Sequence, residues 1–196
     1  MPIVKVGNCY ALTKFCLKPT DIAGLLKRHT ADYHETAELE AIGADLVRRG
    51  FPPKKTAAFV ERVCIWGRGH RNVGRVLKKN TPKGIADALR EGHAIAKRGD
   101  VAAGVIRIEN LRRLGISYAS KQLRILLPNR AVILDSVIRV RLGYAESERG
   151  YRDFLSVCNE LLVRLKKHPF PGAPGRPVLR VCDVEAAIYQ ILQESA

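Results

Sequence analysis

The stretch IENLRRLGISYASKQLRILLPNRAVILDSVIRVRLG, residues 108–143, decides the fold. In it Leu111 and Leu114 close a short helix, Gly115 permits a tight turn, and Ala119, Leu123 and Leu126 restart apolar residues at helical spacing. The pattern is helix, hairpin, helix. Backbone N–H groups at the start of the second helix, around Leu114, Gly115 and Ile116, have no intrahelical partner. They are expected to meet a phosphate, aided by the positive end of the helix dipole. Arg112, Arg113 and Lys121 add positive charge nearby. The stretch then runs through Val132, Ile133 and Leu134 to Asp135, which either caps a helix beginning at Ser136 or lends its carboxylate to chemistry.

Outward from this segment, helix signals fill the chain. Thr20 starts a helix, and a second covers residues 35–49, closed by Gly50 and the Phe51-Pro52-Pro53 break. From Pro53 to Trp66, Ala57, Val60, Val63 and Cys64 share one helical face, after which Gly67, Gly69 and Gly74 interrupt the pattern. Thr81-Pro82 is a strong start signal, Asp100 caps the next helix, residues 148–167 form a long amphipathic helix, and Asp183 is expected to cap the last one. Residues 1–19 show no period and read as an extended arm. Alternation at period two is confined to residues 131–134, so the expected class is all-α. Residues 1–50 form an N-terminal arm and helices, and 51–196 a helical body with its hairpin at 108–126, together one compact unit.

Lys and Arg total 34 against 19 Asp and Glu, a formal charge of +15, and the pI is about 10.0. A polyanion is the natural partner. Nucleic acid is favoured over a membrane, since no apolar run approaches the roughly 18 residues needed to span a bilayer. Lys5 and Lys14 break the apolar residues where an export signal would need continuity, so a cytoplasmic, nucleoid-associated protein is expected. The five cysteines, Cys9, Cys16, Cys64, Cys158 and Cys182, are scattered and make no metal-ligand spacing. They read as buried thiols, with no metal and no cofactor implied.

Residues 108–143 resemble the helix-hairpin-helix DNA glycosylase superfamily, in particular bacterial proteins of the 8-oxoguanine glycosylase fold. The family signature is leucine, any residue, glycine, apolar, glycine, followed by an aspartate in Ile-Leu-Asp. Leu111-Arg112-Arg113-Leu114-Gly115 stands in the hairpin with Arg113 at the first glycine, and Ile133-Leu134-Asp135 carries the aspartate. The resemblance implies a two-lobed helical domain with the hairpin at the cleft between lobes. It also implies Asp135 as the catalytic carboxylate and Ser117 where lyase members carry a Schiff-base lysine. A monomeric enzyme that removes a modified base from duplex DNA, using activated water and leaving the strand uncut, would follow. A carboxylate beside the sugar suits that reaction, because breaking a glycosidic bond builds oxocarbenium-like charge. Lys121, one helical turn beyond Ser117, stands open as a displaced amine nucleophile or as a phosphate contact.

Between Lys54 and Lys79 the basic residues Lys54, Lys55, Arg62, Arg68, Arg71, Arg75, Lys78 and Lys79 face one acid, Glu61. Such a one-sided run reads as a phosphate-contacting surface. Within it, Trp66, His70 and Asn72 are candidates to hold or replace an extruded base, and Tyr118 and Tyr189 are further pocket candidates. Two other readings stay open: a DNA-binding protein that keeps the scaffold without excision, and an RNA-binding protein.

Overall fold

The computed structural model describes residues 3–173 and 176–195; the side chains of Arg71 and Asn72, both singled out above, lie outside the described residues. The chain is mainly helical, with one small sheet. The sheet replaces the expected arm: β1 (Val4–Val6), β2 (Cys9–Leu12) and β3 (Phe15–Leu17) pair antiparallel in that order, with Val4 opposite Ala11 and Tyr10 opposite Leu17. Turns at Gly7 and Thr13 adopt left-handed backbone, and Tyr10, Leu12, Phe15 and Leu17 are buried on one side. Strands this short carry too few residues for alternation to stand out. Cys9 and Cys16 form a disulfide within this sheet, so only Cys64, Cys158 and Cys182 are the buried thiols expected of all five.

The helices are α1 (Ile22–Asp32), α2 (Thr36–Arg48), α3 (Pro53–Trp66), α4 (His70–Lys79), α5 (Pro82–Lys97), α6 (Val101–Glu109), α7 (Gly115–Leu126), α8 (Ser136–Leu142), α9 (Glu148–Leu165) and α10 (Val181–Glu194). Their starts follow the capping chemistry. Thr81 Oγ1 accepts from Gly84 N–H at 3.1 Å, and Asp100 Oδ1 accepts from Ala103 N–H at 3.0 Å. α4 continues through Gly74, a helix that the run of glycines had hidden. At α10 the expected cap is displaced: Asp183 lies inside the first turn, and its carboxylate reaches back to the N–H of Arg180 at 2.9 Å.

α1 packs on α10, α2 on α7 and α3, and α6 on α7. One apolar core takes Leu26 and Leu39 from the first fifty residues together with Val63, Ile108, Leu123 and Ile188, so those residues belong to the body. In the turn from α6 to α7, Arg113 and Gly115 both adopt left-handed backbone, with φ of 71° and 68°. Leu111, Leu114 and Ile116 point into the core, which anchors the turn. The side chains of Leu114 and Ile116 are therefore not free to meet DNA. Among the described residues no helix is long and apolar enough to cross a membrane.

Candidate active site

α7 carries Ser117, Tyr118 and Lys121, and the buried extended segment before α8 carries Asp135 to meet them. Two hydroxyls hold that segment. Ser120 Oγ accepts from Leu134 N–H at 3.2 Å, while Tyr151 Oη accepts from Val132 N–H at 3.2 Å and donates to its carbonyl at 3.1 Å. Asp135 caps α8 and also faces an amine. Oδ1 accepts from Ile138 N–H at 3.1 Å and caps α8, while Oδ2 lies 3.7 Å from Lys121 Nζ. The Lys121 ammonium also donates to Ser117 Oγ at 3.2 Å and lies 5.2 Å from the centre of the Tyr118 ring.

Asp135 and Lys121 line a narrow cleft together with His29, Tyr33, Trp66, Ile133, Glu185 and Tyr189. The aromatic wall is a connected set. His29 stacks on Tyr33 with ring centres 4.7 Å apart, Trp66 meets Tyr33 edge-on at 5.2 Å, and the hydroxyls of Tyr33 and Tyr189 share a 2.9 Å hydrogen bond. Trp66 Nε1 donates to Thr36 Oγ1 at 3.2 Å, which fixes the indole between the core and the cleft. Arg68 lies 5.6 Å from the Tyr33 ring on the exposed side. α10 is held in place by ion pairs: Arg180 with Glu40 at 2.7 Å and with Asp183 at 3.1 Å, and buried Arg124 with Glu40 at 2.7 Å. That network fixes Glu185 and Tyr189 against the cleft.

Burial pushes the Lys121 ammonium below its ordinary pKa, and the carboxylates of Asp135 and Glu185 oppose that drop. The Glu185 carboxyl is pushed up to about 8, chiefly by burial, with Arg124 opposing and Asp135 reinforcing. Burial lowers His29 to about 3, with the nearby Arg176 and Arg124 acting in the same direction, so the imidazole is neutral at physiological pH. The cleft thus sets an amine whose pKa burial lowers beside a carboxylate, under an aromatic wall. A roomier hollow lies between the sheet and α9 around Lys5, Tyr10, Val163 and Arg164, where the acid, Glu160, pairs with the Arg164 guanidinium.

Comparison with protein-family models, with curated proteins and with solved structures gives no match. The reading of the cleft therefore rests on its own geometry.

Of the residues expected from sequence, Trp66, Lys121, Asp135 and Tyr189 line the cleft, and Ser117 and Tyr118 stand against Lys121; His70, in the first turn of α4, is exposed and outside the cleft lining. Of the charged set, Lys54, Lys55 and Arg62 lie on α3, where Arg62 pairs with Glu38 at 2.9 Å, and the rest fall on α4 and the turn before it. Arg75, Lys78 and Lys79 on α4 are exposed, as are Arg68, Arg112 and Arg113. Among the described residues no carboxylate pairs with Arg68, Arg75, Lys78, Lys79 or Arg112, nor with Arg98, Arg141, Lys166 or Lys167 elsewhere, whereas Arg90, Arg107, Arg152 and Arg164 are paired. The hairpin amides are less open than expected. Leu114 N–H bonds Leu111 O at 3.1 Å, and Ile116 N–H faces the Glu109 carboxyl. Sequence reasoning missed His29, Tyr33 and Glu185. The first two lie one turn apart on a single helical face, a spacing that marked them as neighbours but not what they face.

Proposed function

We propose that the chain is a DNA glycosylase that flips a modified base out of duplex DNA, with Lys121 rather than water as the nucleophile and with strand cleavage as the consequence. The observation that carries this reading is the Lys121–Asp135 contact inside the aromatic cleft, with the exposed cations Arg68, Arg75, Lys78 and Lys79 following Trp66 in the chain. We favour the amine, left open beside the water-only mechanism that Ser117 suggests, because Lys121 reaches the same carboxylate from the next turn and bonds the Ser117 hydroxyl itself. The left-handed pair Arg113 and Gly115 supports the hairpin reading, since the backbone there takes the conformation that two glycines would favour.

The chemistry balances on these groups. Lys121 yields a proton, with the Asp135 carboxylate nearest to take it, and its nitrogen forms a bond to C1′ as the glycosidic bond breaks. The base departs with the bonding electrons and takes the proton held by Asp135, and the carboxylate so regenerated stabilises the oxocarbenium-like charge that builds on the sugar. Opening of the sugar leaves an imine on Lys121. Loss of a C2′ proton then expels the 3′ phosphate, and hydrolysis of the imine returns the amine. The cations on α4 and the turn hold the flanking backbone, and Tyr33, Trp66 and Tyr189 offer rings for the extruded base.

The test is borohydride trapping on duplex DNA containing an abasic site. A covalent adduct that Lys121→Ala abolishes and Ser117→Ala retains supports the amine mechanism. Release of a modified base without any adduct returns the mechanism to water, and duplex binding with neither reaction leaves only a DNA-binding protein.

A further inference from the structure

The loop Gly67-Arg68-Gly69 between α3 and α4 places its glycines against expectation. Gly67 and Gly69 have ordinary backbone, with φ of −77° and −94°, whereas Arg68 between them has φ of 63°. The left-handed position thus carries a side chain, and two positions that any residue could adopt carry none. Space explains the choice. A Cβ on Gly67 would lie 2.6 Å from Lys121 Cδ and 2.9 Å from Cε, and a Cβ on Gly69 would lie 2.6 Å from the Tyr118 ring.

We propose that Gly67 is a positioning residue for Lys121: the missing side chain at the end of α3 opens the channel through which the lysine stem reaches Asp135. The inference rests on the reading of Lys121 as a working amine and adds the group that aims it. Lys121 springs from the second turn of α7, so its stem must run past the end of α3 before the ammonium meets Ser117 Oγ and Asp135 Oδ2. The side chain is 9% exposed and has little room to bend elsewhere. A methyl at position 67 forces Cδ and Cε aside, because ordinary contacts between carbons are about 3.5–4.0 Å. The ammonium leaves its place while the two helices stay packed, since the nearest clash is with a flexible stem.

The test compares Gly67→Ala with Gly74→Ala, whose added Cβ meets nothing within 4 Å. Three readings are taken on the full chain: borohydride trapping with abasic duplex, the pH dependence of Lys121 acetylation by mass spectrometry, and thermal melting. Gly67→Ala is expected to cut trapping about tenfold or more and to shift the acetylation profile by about half a pH unit or more. Gly74→Ala leaves both unchanged. Any melting loss from Gly67→Ala is expected to vanish in the Lys121→Ala background, where the stem is gone. Wild-type trapping and an unmoved acetylation profile in Gly67→Ala would overturn the proposal, as would an equal melting loss in both backgrounds. Should the wild-type chain form no adduct, the amine mechanism fails, and the acetylation profile and melting cycle still decide the role of Gly67.

Discussion

Asn80 grips the peptide of Arg112 from both sides. Its Oδ1 accepts from Arg112 N–H at 3.0 Å, and its Nδ2 donates to Arg112 O at 3.0 Å and to Val76 O at 2.7 Å. One side chain therefore ties the end of α4 to the turn before α7, the two places where exposed cations gather. Asn80→Ala is expected to cost about 1 kcal/mol, because water can replace bonds lost at this exposed position. Duplex affinity should fall severalfold with an unchanged salt slope, since no charge is removed; chemical denaturation and a salt titration of binding measure the two effects.

Asp135→Asn separates capping from chemistry. Asparagine caps a helix about as well as aspartate, so the α8 cap should survive with little loss of stability. Base release and adduct formation should disappear, because the carboxylate next to the amine has been neutralised. The Lys121 pKa should fall further, since Asp135 is among the charges that raise it. Counting abasic sites alongside the acetylation profile of Lys121 reads both changes.

Glu109 faces the Ile116 N–H, where a phosphate would otherwise bind. Glu109→Gln is expected to tighten duplex binding about two- to fivefold at low salt by removing a like charge from the phosphate's path. Its carboxyl is raised above the ordinary range, first by burial and then by Glu146. Wild-type affinity should accordingly approach that of the variant as the pH falls. A binding isotherm at two pH values distinguishes this from a purely structural effect.

Lys78→Ala and Lys79→Ala remove cations that pair with no carboxylate among the described residues. For each one that touches a phosphate, the slope of log affinity against log salt should fall by about 0.9. Folding stability should be unchanged within about 0.5 kcal/mol. Fluorescence anisotropy across a salt series checks the slope.

Glu185 and His29 predict opposite pH limits on stability. The Glu185 carboxyl is held at about 8 in the fold against an ordinary value of 4.5, so the folded state binds its proton more tightly. That contribution is complete below 4.5 and is lost as the pH rises through about 8. His29, at about 3 in the fold against 6.5, favours the folded state above 6.5 and loses that contribution as the pH falls toward 3. Glu185→Gln should flatten the alkaline limb of a plot of urea midpoint against pH and leave the acid limb in place.

Much of the helical scaffold was legible because its signals are local. Thr81, Asp100 and Asp135 cap the helices that their positions announce, and the apolar face of α9 repeats at helical spacing. α4 escaped notice because Gly74 and a dense set of cations masked it, although Val73 and Val76 face the core. The sheet at the N-terminus escaped because three- and four-residue strands gain stability from pairing and from the core beneath them, not from any pattern long enough to read.

Residue order alone determined the excess positive charge, the turn between α6 and α7, and a carboxylate at the head of α8, since each depends on neighbours within a few positions. Only the tertiary structure decided what that carboxylate faces. The packing of α1 and α10 carries Tyr33, His29, Glu185 and Tyr189 to it across most of the chain, and Gly67 leaves room for the stem of Lys121. Those contacts are set by how whole helices fill a shared core, a property that no short window of sequence contains.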